Sequence, residues 1–282
     1  MSNPVKTKLI EGGYSVGSWI TIASPTVAEL MGGIGFDWLG IDGEHGAIGL
    51  ESIQLLMQAM AGSPAVSLVR VATNDHILVK RVLDLGAQGV MVPMVNSAEQ
   101  AEMAVRASRF PPRGVRGVGL SRAHGYSVED RTDRLRQAEA DTLLAIQIEH
   151  VDAVARIEEI LRVDGVDLLF LGPEDLAASM GYLGRPEHPD VEATLSRVLA
   201  AAQRNGVPAG IPTRTVAETE NRLEQGYRFI QLGVDVLYLG DSCRERCREL
   251  RRLGYDRGFA FPLSRQAVGL GASSDKDGVA TA

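Results

Sequence analysis

The chain has 282 residues, 29 of them basic and 36 acidic, for a net charge of −7. That length suffices for one large domain or two small ones, and an evenly mixed, mildly acidic surface argues against a protein that grips nucleic acid through its phosphates. No apolar run reaches the roughly 18 residues of a membrane-spanning helix and residues 1–13 hold no signal-like stretch, so the expectation is a soluble, cytoplasmic protein.

Short apolar runs then alternate with helical patterns almost to the end. A strand is predicted at Val16–Ile22 and a second at Trp38–Asp42, followed by a helix over Leu50–Met60. A strand at Ala65–Val71 leads to a helix at His76–Leu85, and one at Gly89–Val95 to a helix at Ala98–Ala107. Residues Phe110–Gly125 break the rhythm with Pro, Gly and Arg, the composition of a functional loop. Strands resume at Leu143–Glu149, Leu168–Leu171, Pro208–Pro212 and Val236–Leu239, with helices at Ala153–Leu161, Val191–Ala202 and Val216–Leu223. Most strand candidates are continuous apolar runs, as expected of parallel strands buried on both faces. Eight strands separated by helices, in a chain a little longer than the typical ~250 residues, predict an α/β fold of the (β/α)8 barrel type. A doubly wound sheet would need a glycine loop after the first strand, and Thr21–Pro25 is not one. The barrel is expected to occupy residues 1–263 and residues 264–282 to form a disordered tail.

Only four of the basic residues are lysines: Lys6, Lys8, Lys80 and Lys276. None falls at a predicted strand end, so no Schiff-base lysine is expected. The two cysteines, Cys243 and Cys247, lie four apart in a helical stretch and read as reduced thiols.

A barrel of this kind places its chemistry at the C-terminal ends of its strands. The polar residues collect there. The second strand ends in Asp42-Gly43-Glu44-His45-Gly46, and the third delivers Arg70 from an apolar run. The fifth carries Gln147 and Glu149 on one face, because side chains alternate along a strand. The sixth runs into Gly172-Pro173-Glu174-Asp175. Glu149 and Asp175 thus converge from adjacent strands, and an oxygen-only pair suits Mg²⁺ or Mn²⁺ better than a structural zinc. Structural roles stand beside these: Glu149 as a buried partner of Arg70, and Asp175 as N-cap of a helix over Leu176–Met180. By parity Glu44 should turn to backbone or a neighbouring loop, and His124 lies in a loop able to fold over the mouth.

The segments FDWLGIDGEHG (Phe36–Gly46), MVPMV (Met91–Val95), RFPPRGVRGVG (Arg109–Gly119), QIE (Gln147–Glu149) and GVDLLFLGPEDLAASMGYLG (Gly165–Gly184) resemble the HpcH/HpaI aldolase family over about residues 17–250. The resemblance implies a class II, metal-dependent pyruvate aldolase without nucleotide cofactor, acting on 4-hydroxy-2-oxo acids in aromatic or sugar-acid catabolism. It implies Glu149 and Asp175 as ligands of Mg²⁺, Mn²⁺ or Co²⁺, Arg70 on the keto oxygen, and Gln147 beside both. It implies His45 as base with Asp42 as its partner, and backbone amides of the Gly172–Asp175 turn, Glu174 included, on the pyruvate carboxylate. Asp84 is implied to serve the neighbouring subunit's site in a hexamer, a trimer of dimers that exchange C-terminal helices. The end of the seventh strand and the loop around His124 are expected to contact the aldehyde. The competing readings are a citryl/malyl-CoA type lyase, disfavoured by the absence of a basic adenine- and phosphate-binding cluster, and a barrel that binds without catalysing.

Overall fold

A computed structural model describes residues 3–127 and 131–252. Eight strands form a closed, all-parallel barrel in sequence order: β1 Ser15–Ile20, β2 Trp38–Asp42, β3 Val66–Arg70, β4 Gly89–Val92, β5 Leu143–Ile148, β6 Leu168–Leu171, β7 Ala209–Thr213 and β8 Phe229–Val234. The helices are α1 Pro4–Ile10, α2 Pro25–Gly32, α3 Leu50–Ala59, α4 His76–Asp84, α5 Ala98–Ser108 and α6 Arg131–Asp141. They continue with α7 Val151–Ala155, α8 Ile157–Ile160, α9 Pro173–Ser179, α10 Pro189–Arg204, α11 Val216–Gln225 and α12 Asp235–Arg252.

Two cores follow from strand alternation. Outward residues such as Ile41, Val69, Leu144, Ile146, Leu169 and Ile211 pack under the helices. Inward residues fill the barrel itself: Trp19, Trp38, Val66, Leu68, Met91, Leu143, Ala145, Leu168, Phe170 and Phe229. Trp38 stacks on Phe229 with centroids 4.2 Å apart and meets Trp19 edge-on at 5.9 Å. Room for two tryptophans depends on glycine: a Cβ on Gly40 would lie 2.3 Å from the Trp19 ring. In β3 and β5 the inward series runs from apolar to polar toward the strand's C-terminal end. Val66 and Leu68 lead to Arg70, and Leu143 and Ala145 lead to Gln147 and Glu149.

The eighth strand is not where the apolar pattern puts it. Val236–Leu239 opens α12, while β8 is Phe229–Val234. A barrel strand needs an apolar face only toward the helices, so inward Gln231 and Gly233 are tolerated and mask it from a search for continuous apolar runs. Asp235 then ends the strand, because its buried carboxylate accepts from Thr21 N, Ile22 N and Val236 N at 2.7–3.0 Å. Three helices were not anticipated: α1, α2 and α6. In α1, Asn3 caps through Val5 N and Lys6 N, and Val5 and Leu9 plug the N-terminal end of the barrel.

Residues up to Leu239 form one compact unit, and residues from Gly240 a second. From Asp241 on, α12 is exposed at every residue and carries both free cysteines, Cys243 and Cys247. The predicted tail, 264–282, lies outside the described residues. Among the described residues no helix is long and apolar enough to cross a membrane.

Candidate active site

Arg70 is the fixed point of the site. Asp42 and Arg70 are register partners across β2 and β3. The Asp42 carboxylate accepts from Arg70 Nε at 3.0 Å and Nη2 at 2.8 Å, a bidentate fork. The guanidinium also lies over the Trp19 ring, 4.9 Å from its centroid. Burial alone would push the Asp42 carboxyl up, but the Arg70 fork and the His45 and Glu44 amides bring it below its ordinary value. A paired, hydrogen-bonded guanidinium of this kind is a preorganised positive charge.

Glu149 is held equally firmly. Its Oε1 accepts from Met94 N at 2.8 Å, and its Oε2 from Gln147 Nε2 at 2.7 Å. Met94 takes a left-handed backbone, φ 53°, in the loop after β4, which costs on the order of 1–3 kcal/mol for a non-glycine residue. That turn brings the Met94 amide onto Glu149. Burial raises the Glu149 carboxyl above its ordinary value; the Met94 amide opposes this, while Glu44 and Asp175 add repulsion. Asp175 stands exposed at the start of α9.

The donor chemistry fits a hard divalent cation. Two carboxylates repel across this mouth, and the buried Gln147 Oε1 beside them has no hydrogen-bond partner. Among the described residues no group of three or more His, Cys, Asp or Glu is arranged around one point, so the protein offers a pair and leaves other positions open. Gly172 makes the approach possible, since a Cβ there would lie 2.5 Å from Glu149 Oε2 and 2.8 Å from its Cβ. Gly172→Ala should therefore displace Glu149 and weaken Mn²⁺ binding at least tenfold by calorimetry, about 1.4 kcal/mol; unaltered affinity would mean that the contact is slack.

Several sequence expectations change here. Asp175 is not the N-cap of α9: Gly172 takes that position and Asp175 is the third helical residue. Pro173 has no N–H and Gly172 N is bonded to Ile148 O, so the amides left for an anion are those of Glu174 and Asp175. The Glu174 side chain turns away, 3.5 Å from Arg214 of the β7–α11 loop. Asp42 is not bonded to the His45 ring. It accepts from the His45 backbone N at 3.2 Å and from Glu44 N at 3.1 Å, so it orders the turn rather than the imidazole. The carboxylate beside that ring is that of Glu44, whose Oε2 is 3.7 Å from His45 Nε2 and 3.2 Å from Arg70 Nη1. Strand parity missed it because the chain has already left β2 and turned.

Asp84 lies far from these groups in the barrel. It ends α4, five residues before β4 begins, and so sits at the N-terminal end of the strands, paired with buried Arg116 at 3.1 Å. The loop after α5 lies at the same end. Arg122 donates to Leu85 O, and buried His124 packs on Phe110 with its Nδ1 near Ser121 Oγ and Gly119 O. The expectation that this loop folds over its own chain's mouth is therefore overturned, for a segment that follows the returning helix α5 and leads through α6 to β5 lies at the opposite end from the site. Of the two segments expected to meet an aldehyde, the end of β7 does border the mouth. A cavity of about 510 Å³ there is lined by Pro173, Glu174, Pro212, Thr213, Arg214 and Val234, among others. His150 and His188 act as N-caps of α7 and α10.

Residues 15–241 match the family model described as HpcH/HpaI aldolase/citrate lyase. The chain is 40% identical over 250 residues to a hydroxypyruvate/pyruvate aldolase of Cupriavidus necator, covering 89% of this chain and 93% of the relative. It is 39% identical over 239 residues to a 4-hydroxy-2-oxo-heptane-1,7-dioate aldolase of Escherichia coli, covering 85% and 91%. Among solved structures, an HpcH/HpaI aldolase/citrate lyase family protein from Burkholderia cenocepacia J2315 superposes with a TM-score of 0.85 at 38% identity, covering 89% of this chain and all of that one.

Proposed function

The chain belongs to the HpcH/HpaI aldolase/citrate lyase family, and from that premise we propose that it cleaves 4-hydroxy-2-oxo acids reversibly to pyruvate, or hydroxypyruvate, and an aldehyde. It is a carbon–carbon lyase of the aldolase kind. The observation that carries the substrate class is the meeting of a locked cation, Arg70, with a carboxylate pair, Glu149 and Asp175, at one barrel mouth.

Glu149 and Asp175 would hold a divalent ion, Mg²⁺, Mn²⁺ or Co²⁺, with Gln147 beside it. The chemistry such an ion supplies is Lewis-acid polarisation of the 2-oxo acid's oxygens. Arg70, fixed by Asp42, faces the negative charge that gathers on the keto oxygen as the C3–C4 bond breaks, and electrostatic stabilisation of this sort is commonly the largest catalytic effect. The amides of Glu174 and Asp175 bind the substrate carboxylate at the start of α9. His45, exposed at the mouth, takes the proton from the C4 hydroxyl. The cavity at the end of β7 receives the aldehyde portion. Asp84, at the wrong end of its own barrel, would act only in a neighbouring subunit's site, in a hexamer whose protomers exchange α12. The setting proposed is the cytoplasm, in breakdown of aromatic or sugar acids.

The test couples pyruvate release from a 4-hydroxy-2-oxo acid to lactate dehydrogenase, with and without EDTA. Release should vanish on chelation and return with Mn²⁺, Co²⁺ or Mg²⁺. Ion affinity should also fall with pH, because the raised Glu149 carboxyl keeps its proton to higher pH than an ordinary glutamate and the ion must displace it. Full turnover after exhaustive chelation would remove the metal from the proposal, and dependence on coenzyme A would move the chain to the acyl-CoA lyases.

A further inference from the structure

The cavity at the end of β7 carries an uneven set of charges. Four glutamates line it, Glu174, Glu187, Glu192 and Glu218, against two arginines, Arg214 and Arg222. Both arginines are already paired. Arg222 is largely buried and forks onto Glu192, donating from Nη1 at 2.8 Å and from Nη2 at 2.6 Å. Arg214 Nη2 lies 3.5 Å from the Glu174 carboxylate at the start of α9. The strand end sets the place of Arg214: buried Thr213 Oγ1 is 2.7 Å from Thr219 Oγ1, and the Arg214 amide donates to Glu218 at 2.8 Å. Glu187 stands exposed on the same rim.

We infer that the Glu174–Arg214 pair determines which aldehyde the site accepts: Glu174 masks the cavity's exposed arginine, so aldehydes carrying a carboxylate are turned away and uncharged, hydroxylated ones are taken. This deepens the aldolase reading above and rests on it. Pro173 and Glu174 line the cavity and lead directly into Asp175, so an aldehyde whose carbonyl faces the Glu149–Asp175 pair extends toward them. A carboxylate brought there finds no unpaired cation and meets a surplus of negative charge, which a cleft focuses more strongly than an open surface does. A hydroxyl group fares better, because it donates to carboxylate oxygens without adding a like charge. The contact between Arg214 and Glu174 is long, and both side chains are more than half exposed, so a single substitution can undo it. The pair makes and breaks no bond; it acts on which aldehyde enters.

Succinic semialdehyde and its methyl ester differ in one charge and little else, so together they separate charge from chain length and reactivity. With saturating pyruvate and Mn²⁺, the wild type should condense the ester with a kcat/KM about fivefold or more above that of the acid, and should accept glyceraldehyde. Raising the salt from about 0.01 M to about 1 M should narrow that preference, since exposed charges are screened. Glu174→Gln keeps the shape and removes the charge; it should raise the acid-to-ester ratio roughly three- to fivefold, the scale of one exposed charge. Adding Arg214→Ala to Glu174→Gln should cancel the gain, because the freed guanidinium is then gone. A wild type that uses the acid as well as the ester, a preference indifferent to salt, or an unaltered ratio in Glu174→Gln would each overturn the inference. So would a gain that survives Arg214→Ala, since Arg214 would then not be what receives the carboxylate. A wild type that condenses none of the three aldehydes with pyruvate would instead undo the parent reading, which keeps the two failures apart.

Discussion

Glu149→Gln should lower aldol cleavage and oxaloacetate decarboxylation together, each by at least about 10³-fold, because both pass through the enolate charge that the ion stabilises. The substitution is nearly isosteric: its amide oxygen can still accept from Met94 N, and Gln147 can turn its unpartnered Oε1 toward the new NH2, so the barrel should survive it. The change that matters is the loss of one of two anionic oxygen donors. Calorimetry with Mn²⁺ should show the affinity collapse in parallel. Retention of either activity near the wild-type level would show that the Glu149–Asp175 pair is not where the ion acts. A buried glutamate without its ion is also strained at neutral pH: burial and two nearby carboxylates oppose its charge. The variant could thus melt higher than the metal-free wild type while being inactive, the pattern of a residue kept for function rather than stability.

His45→Ala should give a different signature. Aldol cleavage should fall by roughly 10²–10⁴-fold, while decarboxylation of oxaloacetate should fall far less, because losing carbon dioxide requires no hydroxyl proton to be taken. The exposed position of His45 makes the substitution structurally mild. Measured with saturating Mn²⁺ on both substrates, the two losses separate a base from an enolate stabiliser. Arg70→Ala is the contrasting control and should damage both reactions, since it leaves buried Asp42 without its counterion as well. Equal proportional losses in His45→Ala would withdraw the base assignment and leave His45 with an orienting role.

Much of this architecture is legible in the chain. Apolar runs spaced by amphipathic helices specify a parallel barrel, because parallel strands buried on both faces are mostly apolar and must be joined by crossovers. The polar residues at the ends of those runs, Asp42, Arg70, Gln147, Glu149 and Asp175, follow from the same logic: an inward series can become polar only where it reaches solvent. The eighth strand escaped because Gln231 and Gly233 face inward and interrupt its apolar run. The short helix α1 escaped because its apolar content, Val5 and Leu9, is too small to make a pattern until the barrel end it plugs is known.

By itself, then, the sequence determined the fold class, the family and the end of the barrel at which the polar residues gather, since alternation and strand order are local and periodic properties. The tertiary structure decided which of those residues touch. Asp42 meets Arg70 because β2 and β3 pair in a register that sets them side by side, a relation between strands 28 residues apart that no local pattern encodes. Glu44 comes between Arg70 and His45 because the chain turns after β2, and parity has no meaning once a strand has ended. Met94 reaches Glu149 only through a left-handed backbone that its own side chain disfavours and the surrounding loop imposes. The 110–125 segment and Asp84 lie at the barrel's other end for a topological reason, because a helix that returns beside its strand ends where the next strand begins.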